Sequence, residues 1–82
     1  MSYEKVFQAN KTIIGTKQTV KAIPKNLVKE IFVALDADDR VIQPAIQTAK
    51  EHKVKITFVE SKKELGKAVG LSVAAAVVAL AV

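Results

Sequence analysis

The last fifteen residues, 68–82, read A-V-G-L-S-V-A-A-A-V-V-A-L-A-V and carry no charge. A stretch this apolar must leave water. It is shorter than the ~20 residues that cross a bilayer, and Gly70 and Ser72 interrupt it. The expectation is therefore a buried final element, a strand over Ala76–Val82, and no membrane partner. An 82-residue chain supports one core, so that element belongs to a single domain, 1–82.

Upstream, segments of two periods alternate. Tyr3, Val6 and Phe7 have helical spacing, with Ser2 as N-cap. Thr12-Ile13-Ile14 is a β-branched run closed by Gly15. Thr16 is placed to cap a second helix, with Val20 and Ile23 inward. Pro24 stops or kinks that helix, and Asn26 suits the left-handed residue after it. Glu30-Ile31-Phe32-Val33-Ala34-Leu35 reads as a central strand. Asp36-Ala37-Asp38-Asp39 is a turn. Pro44 is assigned to the first turn of a third helix, with Ile46 and Ala49 on its core face. Lys55–Val59 is a further strand. Ser61 and Glu64 form a capping box for a fourth helix, which buries Leu65, Ala68 and Val69 and ends at Gly70. Strands alternating with helices predict an α/β domain, a three-layer α/β/α sandwich.

Charge narrows the class of partner. Thirteen Lys and Arg oppose eight Asp and Glu, a net charge of +5, and Arg40 is the sole Arg. Residues 1–29 carry six Lys and one Glu, whereas 30–60 are net acidic and 61–82 net basic. A small basic domain suits an anionic partner, and nucleic acid is the default. A lysine-rich solvated surface would give the same balance.

Catalytic chemistry finds little support. The chain has no Cys, so thiol catalysis and zinc fingers are excluded. Neither G-x-x-x-x-G-K-S/T nor G-x-G-x-x-G occurs. His52, the only His, sits among Lys50, Glu51 and Lys53 as a solvated residue. Asp36, Asp38 and Asp39 read as a turn and a helix-end charge complement, not a metal site. No cofactor is expected.

Two segments are better placed for binding. In Gly15-Thr16-Lys17-Gln18-Thr19-Val20-Lys21, a strand ends at a glycine where helix N–H groups point outward, a place suited to anions. Lys17, Gln18 and Lys21 lie within about one turn of one another. Gln donates and accepts at base edges, and Lys donates to guanine O6 or N7. A capped lysine-rich surface helix explains the same spacing. Gly70-Leu71-Ser72-Val73-Ala74 can form a loop with Leu71 and Val73 exposed enough to pack on an unstacked base; alternatively both are core.

Taken together, G-T-K-Q-T-V-K at 15–21, V-K-E-I-F-V-A-L-D-A-D at 28–38, E-S-K-K-E-L-G-K-A-V-G at 60–70 and the apolar tail resemble the ribosomal-protein family that binds kink-turn RNA, the L-seven-Ae family, in its short bacterial form. The resemblance covers nearly the whole chain. It implies an α/β/α sandwich with a four-stranded mixed sheet, and a non-catalytic RNA-binding protein that stabilises kink-turns through tandem sheared G·A pairs. In the family motif G-x-N-E-x-x-K the Asn, Glu and Lys read guanines. Lys17 and Gln18 stand at the Asn and Glu positions, as in the branch that resembles the eukaryotic L-thirty-e protein, and Lys21 matches. The implied RNA surface comprises Gly15, Thr16, Lys17, Gln18 and Lys21, the Asp36-Ala37 turn, Lys62, and the loop Leu71, Ser72 and Val73. Asn26 stands where the family has a glycine. The expected protein is cytoplasmic and monomeric when free. An assembly component of the ribosome or another RNA–protein particle, held by protein contacts without a kink-turn, is the alternative. An enzyme acting on a phosphorylated small molecule is a more distant one.

Overall fold

The computed structural model describes residues 11–82, and along them the two periods resolve into strands and helices. Strands are β1 (Thr12–Ile14), β2 (Val28–Ala34), β3 (Lys55–Val59) and β4 (Val77–Ala81). Helices are α1 (Thr16–Ala22), α2 (Asp39–Glu51) and α3 (Lys62–Ala68), and a short 3-10 turn, Ile23–Lys25, follows α1. The helix expected through Tyr3, Val6 and Phe7 lies outside the described residues.

The strands form one mixed sheet in the order β1-β4-β2-β3. β2 and β3 are parallel, and β4 runs antiparallel to both β1 and β2. The chain therefore threads its most apolar strand last, into an interior position. That place demands side chains buried on both faces, which explains the uncharged tail.

Alternation along the strands divides the core in two. Ile31, Val33, Val77 and Ala79 meet Ala22, Ile23, Ile42, Ala45, Ile46 and Ala49 from α1, the turn after it and α2. Phe32, Ala34, Val78 and Leu80 meet Leu65 and Ala68 of α3. Helices thus cover both faces, as expected for the α/β/α sandwich. Ile31, Phe32, Val33, Val77 and Val78 are all fully buried. Each side chain of this size taken out of water contributes roughly 1.5–3 kcal/mol.

Several local expectations change. Thr16 does not cap α1; it is the first helical residue, the cap position is Gly15, and no side chain bonds there. The Thr16 hydroxyl is buried without a hydrogen-bond partner, and so is that of Thr19. Pro44 lies inside α2, not in its first turn, because Asp38 caps that helix and starts it five residues earlier. β2 begins at Val28 and ends at Ala34, which leaves Leu35 exposed. Asn26 does adopt the left-handed conformation, at φ 60°, and ends the turn after α1.

Candidate nucleic-acid interface

Gly15 sets the position of α1. Its φ of 103° and ψ of 152° are open to glycine and strained for other residues. In that conformation its N–H donates to the Val77 carbonyl at 2.9 Å, which ties the start of α1 to the start of β4. Burial of Thr19, Ala22 and Ile23 then fixes the rotation of the helix, and Lys17, Gln18 and Lys21 face solvent. Lys17 and Lys21 make no ion pair among the described residues.

The turn after β2 reaches the same end of the sheet. Leu35 N–H donates to Val59 O at 2.8 Å, and Ala37 N–H to Ala34 O at 3.2 Å. Asp36 Oδ1 accepts the Lys62 N–H at 2.9 Å, so the turn and the first residue of α3 are bonded directly. Ala37 is half-buried against both core clusters. Asp38 Oδ1 accepts the Arg40 N–H at 2.9 Å, and Asp38 Oδ2 the Arg40 guanidinium at 3.4 Å. These two hydrogen bonds hold the Asp38 carboxyl below its ordinary range, and the nearby Lys62 charge adds to the effect.

The loop after α3 completes this end. Ser61 Oγ accepts the Glu64 N–H at 3.2 Å, the cap expected from sequence. Ala75 N–H donates to Lys62 O at 3.0 Å, and Leu71 N–H to Gly66 O at 2.9 Å. Gly66 lies directly beneath the loop, where a Cβ would run into the Val73 carbonyl. The two apolar loop residues part company. Leu71 is half-buried against the second core cluster, whereas Val73 is 65% exposed. Ser72 is exposed beside it.

The structure therefore brings the sequence candidates to one end of the sheet. Gly15, Thr16, the Asp36-Ala37 turn, Lys62 and the 71–73 segment are linked there by backbone bonds or by strands that end or begin together. Lys17, Gln18 and Lys21 extend the surface along α1. Lys67, at the far end of α3, pairs with Glu64 at 3.9 Å. His52 is an exposed residue at the end of α2. Among the described residues no cluster of His, Asp and Glu could hold a metal ion, and no helix is long and apolar enough to cross a membrane.

Sequence reasoning missed one feature of this surface. Between α1 and α2 runs an open groove of about 540 Å³, walled by Lys17, Val20 and Lys21 on one side and Arg40, Val41 and Pro44 on the other. The available signal was Val41. It falls off the core stripe made by Ile42, Ala45, Ile46 and Ala49, and it sits beside the chain's only Arg.

The sequence model of the ribosomal protein L7Ae/L30e/S12e/Gadd45 family matches residues 2–82. The chain belongs to that family. It is 51% identical over 80 residues to a protein of Geobacillus sp. (strain WCH70) named RNA-binding protein, with 98% of each chain covered. It is 54% identical over 80 residues, with the same coverage, to a protein of that name from Bacillus pumilus (strain SAFR-032). The L7Ae/L30e/S12e/Gadd45 fold also recurs at lower identity. The 15.5kD RNA binding protein of Giardia lamblia superimposes with a TM-score of 0.84 at 22% identity, over 98% of this chain and 68% of that one.

Proposed function

We propose that this chain is a non-catalytic RNA-binding protein, cytoplasmic and monomeric when free, that recognises and stabilises kink-turn RNA. The observation that carries the proposal is the convergence of the exposed Lys17-Gln18-Lys21 face with the 71–73 loop at one end of the sheet. Family membership and the naming of the bacterial relatives support it.

Ordinary A-form RNA hides its base edges in a deep, narrow groove. A sharp kink with sheared G·A pairs exposes them. Lys17 and Lys21 then donate to guanine O6 or N7, and Gln18 can both donate and accept. Val73, the exposed apolar tip of the loop, offers a face for an unstacked nucleotide, with Ser72 beside it. Lys62 and the Asp36-Ala37 turn border the strand between them. A protein that fits the bent RNA better than the extended form shifts the RNA toward the bend.

A gel shift tests this directly. A duplex with a three-nucleotide bulge and tandem G·A pairs should bind far more tightly than the same RNA with those pairs replaced by Watson–Crick pairs. Equal affinity at near-physiological salt would reduce the surface to a basic patch.

A further inference from the structure

The groove between α1 and α2 is distinct from the loop at Val73 and borders the base-reading face of α1, with which it shares Lys17 and Lys21. Its rim carries three cations, Lys17 and Lys21 from one helix and Arg40 from the other, while Val20, Val41 and Pro44 supply an apolar floor. Val41 is 45% exposed there, a β-branched side chain left in water on a helix that otherwise buries its apolar residues. A flat or compact apolar group with an attached anion complements this arrangement, and a nucleotide is such a group. About 540 Å³ lies within the range of small-ligand clefts.

The acidic groups nearby do not cancel the rim. Asp38 contacts the Arg40 guanidinium at 3.4 Å, and Asp39 accepts from the Gln43 amide at 3.5 Å. The Arg40 side chain remains 91% exposed, free to turn from an open carboxylate contact to a phosphate. Arg suits that exchange, since its planar donors grip phosphate oxygens in pairs and its face stacks on a base. Pro44 adds a further group. It has no N–H, so the Arg40 carbonyl lacks the donor that an unbroken helix would supply. A carbonyl so placed is an acceptor of the kind a ribose 2′-hydroxyl donates to.

We propose that this groove holds one nucleotide of the bound RNA strand next to the G·A pairs, its phosphate against Arg40 in the positive field that Lys17 and Lys21 add while they read the pairs, and its base or ribose on Val20, Val41 and Pro44. The proposal rests on RNA binding and extends the contact surface from α1 onto the first turns of α2.

Arg40→Gln and Val41→Asp test it, because both positions are exposed and neither belongs to the base-reading face. An acid in the first turn of α2 also favours that helix, so Val41→Asp keeps the fold. Affinity is measured for the bulged, G·A-paired RNA and for its unbulged duplex, over a range of salt, with thermal melting as the folding control. Val41→Asp should weaken binding of the bulged RNA by at least about tenfold, and Arg40→Gln by roughly three- to tenfold with a salt slope shallower by about one. Melting temperatures should stay within a few degrees of the parent. Wild-type affinity and slope in both variants would overturn the proposal and leave the groove to another partner, such as an acidic peptide. Failure of the kink-turn reading shows separately, as equal wild-type affinity for the two RNAs. Even then, losses in both variants would keep an RNA strand in the groove, and no loss would remove it.

Discussion

Pro44→Ala offers a measurement in which stability and binding move in opposite directions. Pro44 stands inside a 13-residue helix, where its ring removes one backbone hydrogen bond. In an exposed helix interior proline is about 3 kcal/mol worse than alanine. Part of that is returned by the unfolded chain, which proline stiffens by about 0.4–1 kcal/mol. The buried stripe of Ile42, Ala45, Ile46 and Ala49 already holds α2 in place, so some of the remaining strain is relaxed. Pro44 itself is exposed and gives up no core packing. The net expectation is a gain of about 1–2.5 kcal/mol. At roughly 4–8 °C per kcal/mol for a domain of this size, Tm should rise by roughly 5–20 °C. Urea unfolding at 25 °C and a thermal melt followed by circular dichroism read this directly. On the same protein, affinity for bulged RNA should fall, because the new N–H occupies the Arg40 carbonyl and the ring is gone from the groove. An unchanged or lower Tm would refute the argument that Pro44 strains α2. A higher Tm with undiminished RNA affinity would keep the strain and remove Pro44 from the interface.

Five other substitutions probe separate parts of the molecule. Thr19→Val replaces a fully buried hydroxyl that lacks a partner with a methyl group. It should stabilise the domain by about 1 kcal/mol in urea unfolding, and destabilisation would mean that the hydroxyl is satisfied. Lys21→Ala should cost about 1–3 kcal/mol of RNA binding by titration, with Tm nearly unchanged. Leu71→Ala and Val73→Ala should divide by burial: the first lowers stability by about 1–2 kcal/mol, less than a full core truncation, while the second stays within about 0.5 kcal/mol and weakens RNA binding by about 1 kcal/mol. The reverse order in paired melts and binding curves would exchange their roles. Asp38→Asn tests the cap of α2 through pH. The folded-state pKa of Asp38 is depressed, so its ionised form stabilises the fold above the unfolded value of 3.8 and that contribution is lost as pH falls through the folded value. The parent should lose stability on acidification below about pH 4 more steeply than Asp38→Asn, and parallel pH profiles would exclude this contribution.

Periodicity and punctuation made most of the fold legible. The β-branched run at Thr12–Ile14, the apolar run Glu30–Leu35 and the uncharged tail read as strands from their β-branched content, short length and bounding turn residues, although β2 begins at Val28 and stops at Ala34. Ser61 with Glu64 and the Asp36–Asp39 cluster marked helix starts through side-chain caps that the backbone uses. Where two signals competed, the weaker was misjudged. Pro44 was drawn to the first turn by its missing N–H, yet the Asp38 cap and four core residues at helical spacing outweighed it. Thr16 resembled a cap, yet Gly15 at φ 103° took that position because only its backbone reaches the Val77 carbonyl. The binding candidates on α1 were legible from spacing. The groove was not, since its second wall comes from α2, which enters the chain after β2, and only tertiary packing places the two helices side by side. Leu71 and Val73 were indistinguishable in sequence; the Leu71 N–H bond to Gly66 turns one toward the core and leaves the other out.

The interior place of β4 has a consequence for how the molecule comes into being. Among the described residues β1 has no hydrogen-bonded neighbour but β4, and β2 and β3 can pair without either. A nascent chain that ends before Val77 therefore holds one parallel pair and an orphan strand, with Phe32 and Val33 lacking the neighbours that bury them. Synthesis must deliver the last strand before the sheet can close, and contacts so distant along the chain make closure slow compared with helix formation. Gly15 receives its Val77 partner in that same closing step, so the end of α1 proposed to face RNA is oriented only when the sheet is whole. On the proposed site, an unfinished copy would lack the assembled end of the sheet that binding requires.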